Sequence, residues 1–167
     1  VSTELVIPIA NALRPRSSRD TCQVYGTPVE FLRAVKERFG KIGWDLAASA
    51  ENNVAPEGCY FDEQDDALTK SWTGLTNDWL WLNPPFARNA EFAAKCHAES
   101  LKGAPILFLT PASVDSNWFA DHVAPYAHSL WLGSRIQFVG AKDGYPKPLM
   151  LSVYRYGLTG NSRWRWK

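Results

Sequence analysis

Apolar residues at Phe31, Leu32, Val35 and Phe39 in "TPVEFLRAVKERFG" have the three-to-four spacing of one helix face. Thr27 reads as its N-cap, Pro28 as the first helical residue, Glu30 as the partner in a capping box, and Gly40 as the stop. The pattern then changes period. "KIGWDLAAS" predicts a short strand running into small residues, and "GCYFDEQDDAL" a second one ending in acids. "WLWLNPPF" predicts a strand, and "NAEFAAKCHAESLKG" a helix from an Asn cap to near Gly103. "APILFLTPAS" is continuously apolar, as strands of a parallel sheet are, and "SVDSNWFADHVAPY" predicts a short helix stopped by Pro125. "SLWLGSRIQFVG" and "PLMLSVYRYG" predict strands on either side of a hairpin connection, "AKDGYPK". Residues 1–24 carry Pro8, Pro15 and a Ser-Ser pair without sustained periodicity and read as an N-terminal arm. Alternating helices and strands predict one α/β domain over 25–167: a doubly wound sheet, mostly parallel with an antiparallel end. No segment is long enough for a separate recognition domain, and no internal repeat is visible.

Composition narrows the class without naming a function. The 167 residues, 46% hydrophobic and 21% charged, suit one domain with a real core. No apolar run is long enough to cross a bilayer, and the first residues lack the pattern of a secretion signal. Cys22, Cys59 and Cys96 are an odd number without close pairing, which reads as buried free thiols in a reducing cytoplasm. Cys96 and His97 lack the ligand spacing of common zinc motifs, so no metal is expected. The net charge is +1, but cations cluster locally. Arg14, Arg16 and Arg19 lie in the arm, and Lys142 and Lys147 in the hairpin connection. Arg163, Arg165 and Lys167 alternate with Trp164 and Trp166 in what reads as a basic aromatic tail. Such patches bind nucleic acid or are solvated surface; charge alone leaves both open.

"WLWLNPPFARN" carries the chemistry. Two prolines after a buried strand give up backbone donors and stiffen the chain, fixing Asn83 and Phe86 just beyond the strand end. An Asn/Asp-Pro-Pro-aromatic motif there resembles the catalytic motif of S-adenosylmethionine-dependent amino methyltransferases. More narrowly, "YGTPVEFLRAV", "WDLAAS", "DEQDDALTKSW" and "WLWLNPPF", followed by "PASVDSNWF" and "LGSRIQF", resemble the phage-type DNA N6-adenine methyltransferase (Dam-like) family in colinear order, from Tyr25 to Phe138.

That resemblance implies a Rossmann-like methyltransferase sheet, S-adenosyl-L-methionine as methyl donor, and duplex DNA with a flipped-out adenine as partner. An exocyclic amino group is a weak nucleophile because its lone pair is delocalised into the ring. Two acceptors holding its N–H groups can turn that lone pair toward the methyl. The Asn83 side chain and the Pro84 carbonyl would be those acceptors, with Pro85 stiffening the turn. Phe86 would stack on the base, a contact worth about 1–3 kcal/mol. On the donor side the resemblance implies Tyr25, Thr27 and Pro28 at the methionine end, and Asp45, Ala47, Ala48 and Ser49 in the loop after the first strand. That loop has Ala and Ser where many methyltransferases have Gly. Among Asp62, Glu63, Asp65 and Asp66 one acid is expected on the ribose hydroxyls. Asp62 is favoured for the ribose and Asp66 for the adenine ring, with a solvated acidic loop as the alternative. Asp115, Ser116 and Trp118 are expected to border the target pocket, or to be a helix cap and core. Arg135, Lys142, Lys147, Arg163 and Arg165 are the candidate nucleic-acid contacts. The same motif also serves cytosine N4, RNA adenine and protein glutamine amides, and a non-catalytic nucleic-acid-binding module could keep the fold. Oligomeric state stays open.

Overall fold

The computed structural model describes residues 26–49 and 51–167. The expected N-terminal arm (1–24) and Tyr25 lie outside them. Within them run α1 (Val29–Phe39), β1 (Ile42–Asp45), β2 (Trp79–Leu82), α2 (Asn89–Ser100), β3 (Ile106–Pro111), α3 (Asn117–His122), β4 (His128–Leu132), β5 (Leu149–Tyr154) and β6 (Gly160–Trp164). The strands form one sheet in the order β1-β2-β3-β5-β4-β6. β1, β2 and β3 are parallel neighbours; β5 runs antiparallel to both β3 and β4; β4 and β6 are parallel. Five strands therefore point one way, and only β5 is reversed.

This mixed sheet departs from the sequence reading in several places. The antiparallel strand sits inside the sheet and not at its end. The segment read as a tail supplies β6, an edge strand, and its tryptophans pack inward. Trp164 and Trp166 lie 5.8 and 5.0 Å from Phe31 of α1 between ring centroids. The expected second strand is absent: Tyr60 makes only an isolated parallel bridge to Asp45. Residues 133–148, between β4 and β5, form a wider excursion than a hairpin turn.

Apolar layers cover both sheet faces, which explains the unbroken apolar runs of the central strands. Trp79, Trp81, Leu107 and Leu109 face the layer under α1, with Phe31 and Val35. Leu80, Leu82, Ile106 and Phe108 face the layer under α2 and α3, with Phe92, Cys96 and Val123. Burial of each such side chain contributes roughly 1.5–3 kcal/mol, so this double layer holds the strand ends in place.

Local cap rules fail at two helix starts. Thr27 makes no cap bond; Pro28 holds the cap position, and its carbonyl accepts from the N–H groups of Phe31 and Leu32 at 3.1 Å each. Glu30 pairs instead with Lys167. Asn89 is not a cap but the first residue of α2, buried behind a 3₁₀ turn formed by Phe86–Arg88. At α3 the cap is Ser116, whose Oγ accepts from the Phe119 N–H at 3.4 Å, and not Asp115.

Candidate active site

β1 and β2 run parallel side by side, so their carboxyl ends open at one edge of the sheet, where doubly wound sheets bind ligands. A cavity of about 690 Å³ lies there, within the range of small-ligand sites. Its walls come from three separate stretches of chain: Asp45 to Ser49 after β1, the acidic loop with Asp62, Glu63 and Asp66, and Asn83 and Pro85 after β2. Thr27 closes a fourth side.

Backbone pairing brings the first two stretches together. The Asp45 N–H donates to the Cys59 carbonyl, the Phe61 N–H to the Asp45 carbonyl, and the Ala48 N–H to the Phe61 carbonyl, at 2.9–3.0 Å. The acids that follow Phe61 are thereby laid beside the β1 loop. Asp62 Oδ1 accepts from the N–H groups of Gln64 and Asp65, so that oxygen shapes its own loop. Asp66 holds a left-handed backbone, φ +46°, uncommon for residues other than Gly, though Asp adopts it more readily than most.

Asp45 is 2% exposed. Burial pushes its carboxyl up to about 6, against the opposing pull of the Ala47 and Val54 N–H groups that it accepts at 3.2 and 3.1 Å. Because the folded value lies above the ordinary 3.8, ionisation opposes folding as pH rises from about 4 through 6. A cation in the cavity would reverse that by favouring the carboxylate.

Asn83 lines the same cavity from the end of β2. Its Nδ2 donates to the Thr27 hydroxyl at 3.2 Å. The amide nitrogen only donates, so acceptor chemistry at Asn83 belongs to Oδ1. Thr27 is held by its neighbour Gly26, whose carbonyl accepts from the Val139 N–H at 2.9 Å. A Cβ on Gly26 would come within 2.6 Å of Asn52 Oδ1 and 3.3 Å of Val139 Cβ, so a larger residue there would push the Asn52 side chain aside.

A family model described as DNA N-6-adenine-methyltransferase (Dam) matches residues 14–151. The chain belongs to this family. A relative from Escherichia phage T1, named DNA N-6-adenine-methyltransferase, is 32% identical over 118 residues, covering 71% of this chain and 47% of the relative. The chain thus spans about half the length of that relative. No solved structure matches.

In this Dam family member the remaining expected residues divide by place. Thr27, Asp45, Ala47, Ala48, Ser49, Asp62, Asp66, Asn83 and Pro85 line one cavity; Pro28, Pro84 and Phe86 do not. Pro84 is buried, and the Phe86 ring packs on Phe138 and Tyr145. Asp115 is exposed, and half-buried Trp118 packs on the α2 and α3 layer, away from the cavity. Arg135, Lys142, Lys147, Arg163 and Arg165 are all exposed. Arg135, Lys142 and Lys147 follow β4 in the chain, and Arg163 and Arg165 lie at the end of β6; the carboxyl ends of both strands fall on the sheet edge that also carries the cavity. Acids thus mark the β1 end of that edge and cations the β4–β6 end. The family match stops before β6, so Arg163 and Arg165 lie beyond it.

Arg88 was not foreseen. It lines the cavity, binds Glu91 through two hydrogen bonds at 3.2 and 3.0 Å, and reaches within 3.9 Å of Asp66. Its i,i+3 spacing to Glu91 was a visible signal; its distance to Asp66 was not. Cys96 is buried and Cys59 half-buried, both as free thiols, while Cys22 lies outside the described residues. The His97 ring stacks on Tyr126, and its Nδ1 lies 3.2 Å from that of His122. Among the described residues no group of three or more His, Cys, Asp or Glu side chains could hold a metal ion. No described helix is long and apolar enough to cross a membrane.

Proposed function

We propose that this chain transfers a methyl group from S-adenosyl-L-methionine to the N6 amino group of an adenine in DNA, on a Rossmann-like methyltransferase sheet. The observation that carries the reading is the position of Asn83. It is fixed by two prolines at the end of β2, oriented by Thr27, and lines a cavity whose walls also carry Asp45, Asp62 and Asp66. The family name and that of the phage relative support it.

The cavity suits the donor. Its polar wall of Asp45, Ser49, Asp62 and Asp66 matches a cation bearing ribose hydroxyls, and Leu46, Trp81 and Phe92 match an apolar ring. Asp62 and Asp66 would take the nucleoside hydroxyl and ring positions, and Asp45 would face positive charge. When bound, the donor supplies an electrophilic methyl on a sulfonium. The chain supplies position: Asn83 Oδ1 and the Pro84 carbonyl accept the two amino N–H groups and turn the lone pair out of the ring plane. The N6 proton that methylation makes acidic leaves to water, since Asn83 accepts hydrogen bonds but takes no proton. The adenine must leave the duplex to reach Asn83, and the exposed cations at the β4 and β6 ends would hold the phosphates.

Transfer from labelled donor to unmethylated duplex DNA, with product nucleosides separated, tests the reading. Label in N6-methyladenine is expected. Label in N4-methylcytosine, or in no nucleoside, would sink it.

Two further outcomes follow from the geometry. Donor affinity should weaken as pH falls below about 6, approaching tenfold per pH unit, because Asp45 must lose its proton to meet a cation. Titration calorimetry between pH 5 and 8 measures this, and Asp45→Asn should flatten the slope. Thr27→Val removes the hydroxyl that orients Asn83 while keeping the side chain's shape. The rate constant for transfer should drop about tenfold with donor affinity near wild type. Equal losses in both would mean that Thr27 serves the donor and not Asn83.

A further inference from the structure

Phe86 is the motif residue expected to meet the target base, yet its ring does not line the cavity. It stands in a cluster of three edge-on rings: Phe86 to Tyr145 at 5.3 Å, Phe86 to Phe138 at 6.1 Å, and Phe138 to Tyr145 at 5.9 Å between centroids. A base stacking on the side of Phe86 that these rings meet has to replace one of them. Phe138 is 2% exposed and belongs to the core under α1, so it is fixed. Tyr145 is half-buried and lies on the 133–148 excursion, between Gly144 and Pro146. Its backbone N–H donates to the Ile136 carbonyl at 2.8 Å, so the main chain is tied down while the ring can turn about its own χ1.

We infer that Tyr145 is a stand-in for the target base: its ring covers Phe86 in the DNA-free protein and turns away when the flipped adenine arrives. This rests on the base-flipping reading above and adds a residue that regulates it. The device has a clear physical use. An aromatic motif left open at the mouth of a cavity would expose apolar surface to water and to any passing aromatic ring. Packing a ring from the same chain against it shields part of that surface. The base must then outcompete Tyr145, and an edge-on aromatic pair corresponds to about a two- to tenfold change in an equilibrium constant.

The test uses the duplex that the wild-type chain methylates, in two forms. One has the base opposite the target adenine removed, so that the adenine is already unpaired. The other has the target adenine itself removed. Tyr145→Ala should bind the first duplex about two- to tenfold more tightly than wild type, with no change for the second, and Tyr145→Phe should match wild type for both. Weaker or equal binding of the first duplex by Tyr145→Ala would overturn the inference, because a ring that merely walls the base site helps the base when present. Wild-type protein carrying 3-fluorotyrosine, with its Tyr145 signal assigned by loss in Tyr145→Phe, gives an answer even if the alanine variant fails to fold. That signal should shift with the first duplex and stay put with the second; an unmoved signal overturns the inference. If the wild-type chain methylates no adenine at all, the failure lies with the proposed function and not with Tyr145.

Discussion

Asn83→Ala is expected to lower the rate of methyl transfer by about 10²–10³-fold, the usual loss when one preorganised polar contact to the reacting group is removed. Donor affinity and thermal stability should stay close to wild type. Asn83 is half-buried on the cavity wall, between buried Leu82 and buried Pro84. The rigid Pro-Pro turn does not depend on the Asn side chain, so the loss should fall on chemistry. It should appear in the rate constant and in the specificity for DNA alike, since the acceptor acts on an amino group whose lone pair matters only in the transition state. Asn83→Asp keeps an acceptor at the same place, and the Thr27 hydroxyl can then donate to it. That variant should retain most of the activity. Initial rates with labelled donor and saturating DNA measure both variants. A loss under tenfold in Asn83→Ala would mean that the Asn side chain does not hold the amino group, and the reading of the motif would have to move to Pro84 and Phe86 alone.

The sequence made some of this legible and hid the rest for physical reasons. "WLWL" and "ILFLTP" are apolar on both faces because apolar layers cover both sides of the sheet, so the central strands, with a cavity at the ends of β1 and β2, could be read directly. β6 could not. Its first four residues are exposed at the sheet edge, and only Trp164 is buried, so no alternation announced a strand. The place of β5 inside the sheet is a matter of strand order, which periodicity does not encode. Thr27 misled the local rule: before a proline and a helix it reads as a cap, while its partner Asn83 lies 56 positions away. Phe86 was legible as an aromatic at a fixed place, but not as a ring already covered by one from the 133–148 excursion.

Glu99→Ala is expected to destabilise the fold by about 3–5 kcal/mol, the largest stability effect foreseen for a single change here. Glu99 is wholly buried at the last turn of α2, where a negative charge opposes the helix dipole. Burial pushes its carboxyl up, but Lys95, Lys102, the Trp72 N–H and Thr73 outweigh it and hold it down at about 2. One oxygen meets Lys95 and Lys102 at 3.0 and 3.1 Å; the other accepts from the Trp72 and Thr73 N–H groups and the Thr73 hydroxyl at 3.0–3.2 Å. Removing the carboxylate leaves the buried Trp72 N–H and the largely covered Lys95 without their partner, while exposed Lys102 and Thr73 can turn to water. The lowered value makes the sign of the pH dependence definite. Stability from Glu99 is fully present above its ordinary value of 4.5 and is lost as pH falls toward 2, by about 3 kcal/mol over that window. Denaturant titrations at pH 7 and pH 3 should therefore show the wild-type and Ala curves drawing together as pH drops. The consequence reaches the cavity. Trp72, pinned by Glu99, donates its indole N–H to the Ala67 carbonyl at 2.8 Å, directly after Asp66 in the acidic wall. A carboxylate remote from the chemistry thus holds the loop expected on the donor, and Glu99→Ala should weaken donor binding as well as the fold. A variant with wild-type stability at pH 7 would show instead that the 72–73 segment finds other acceptors.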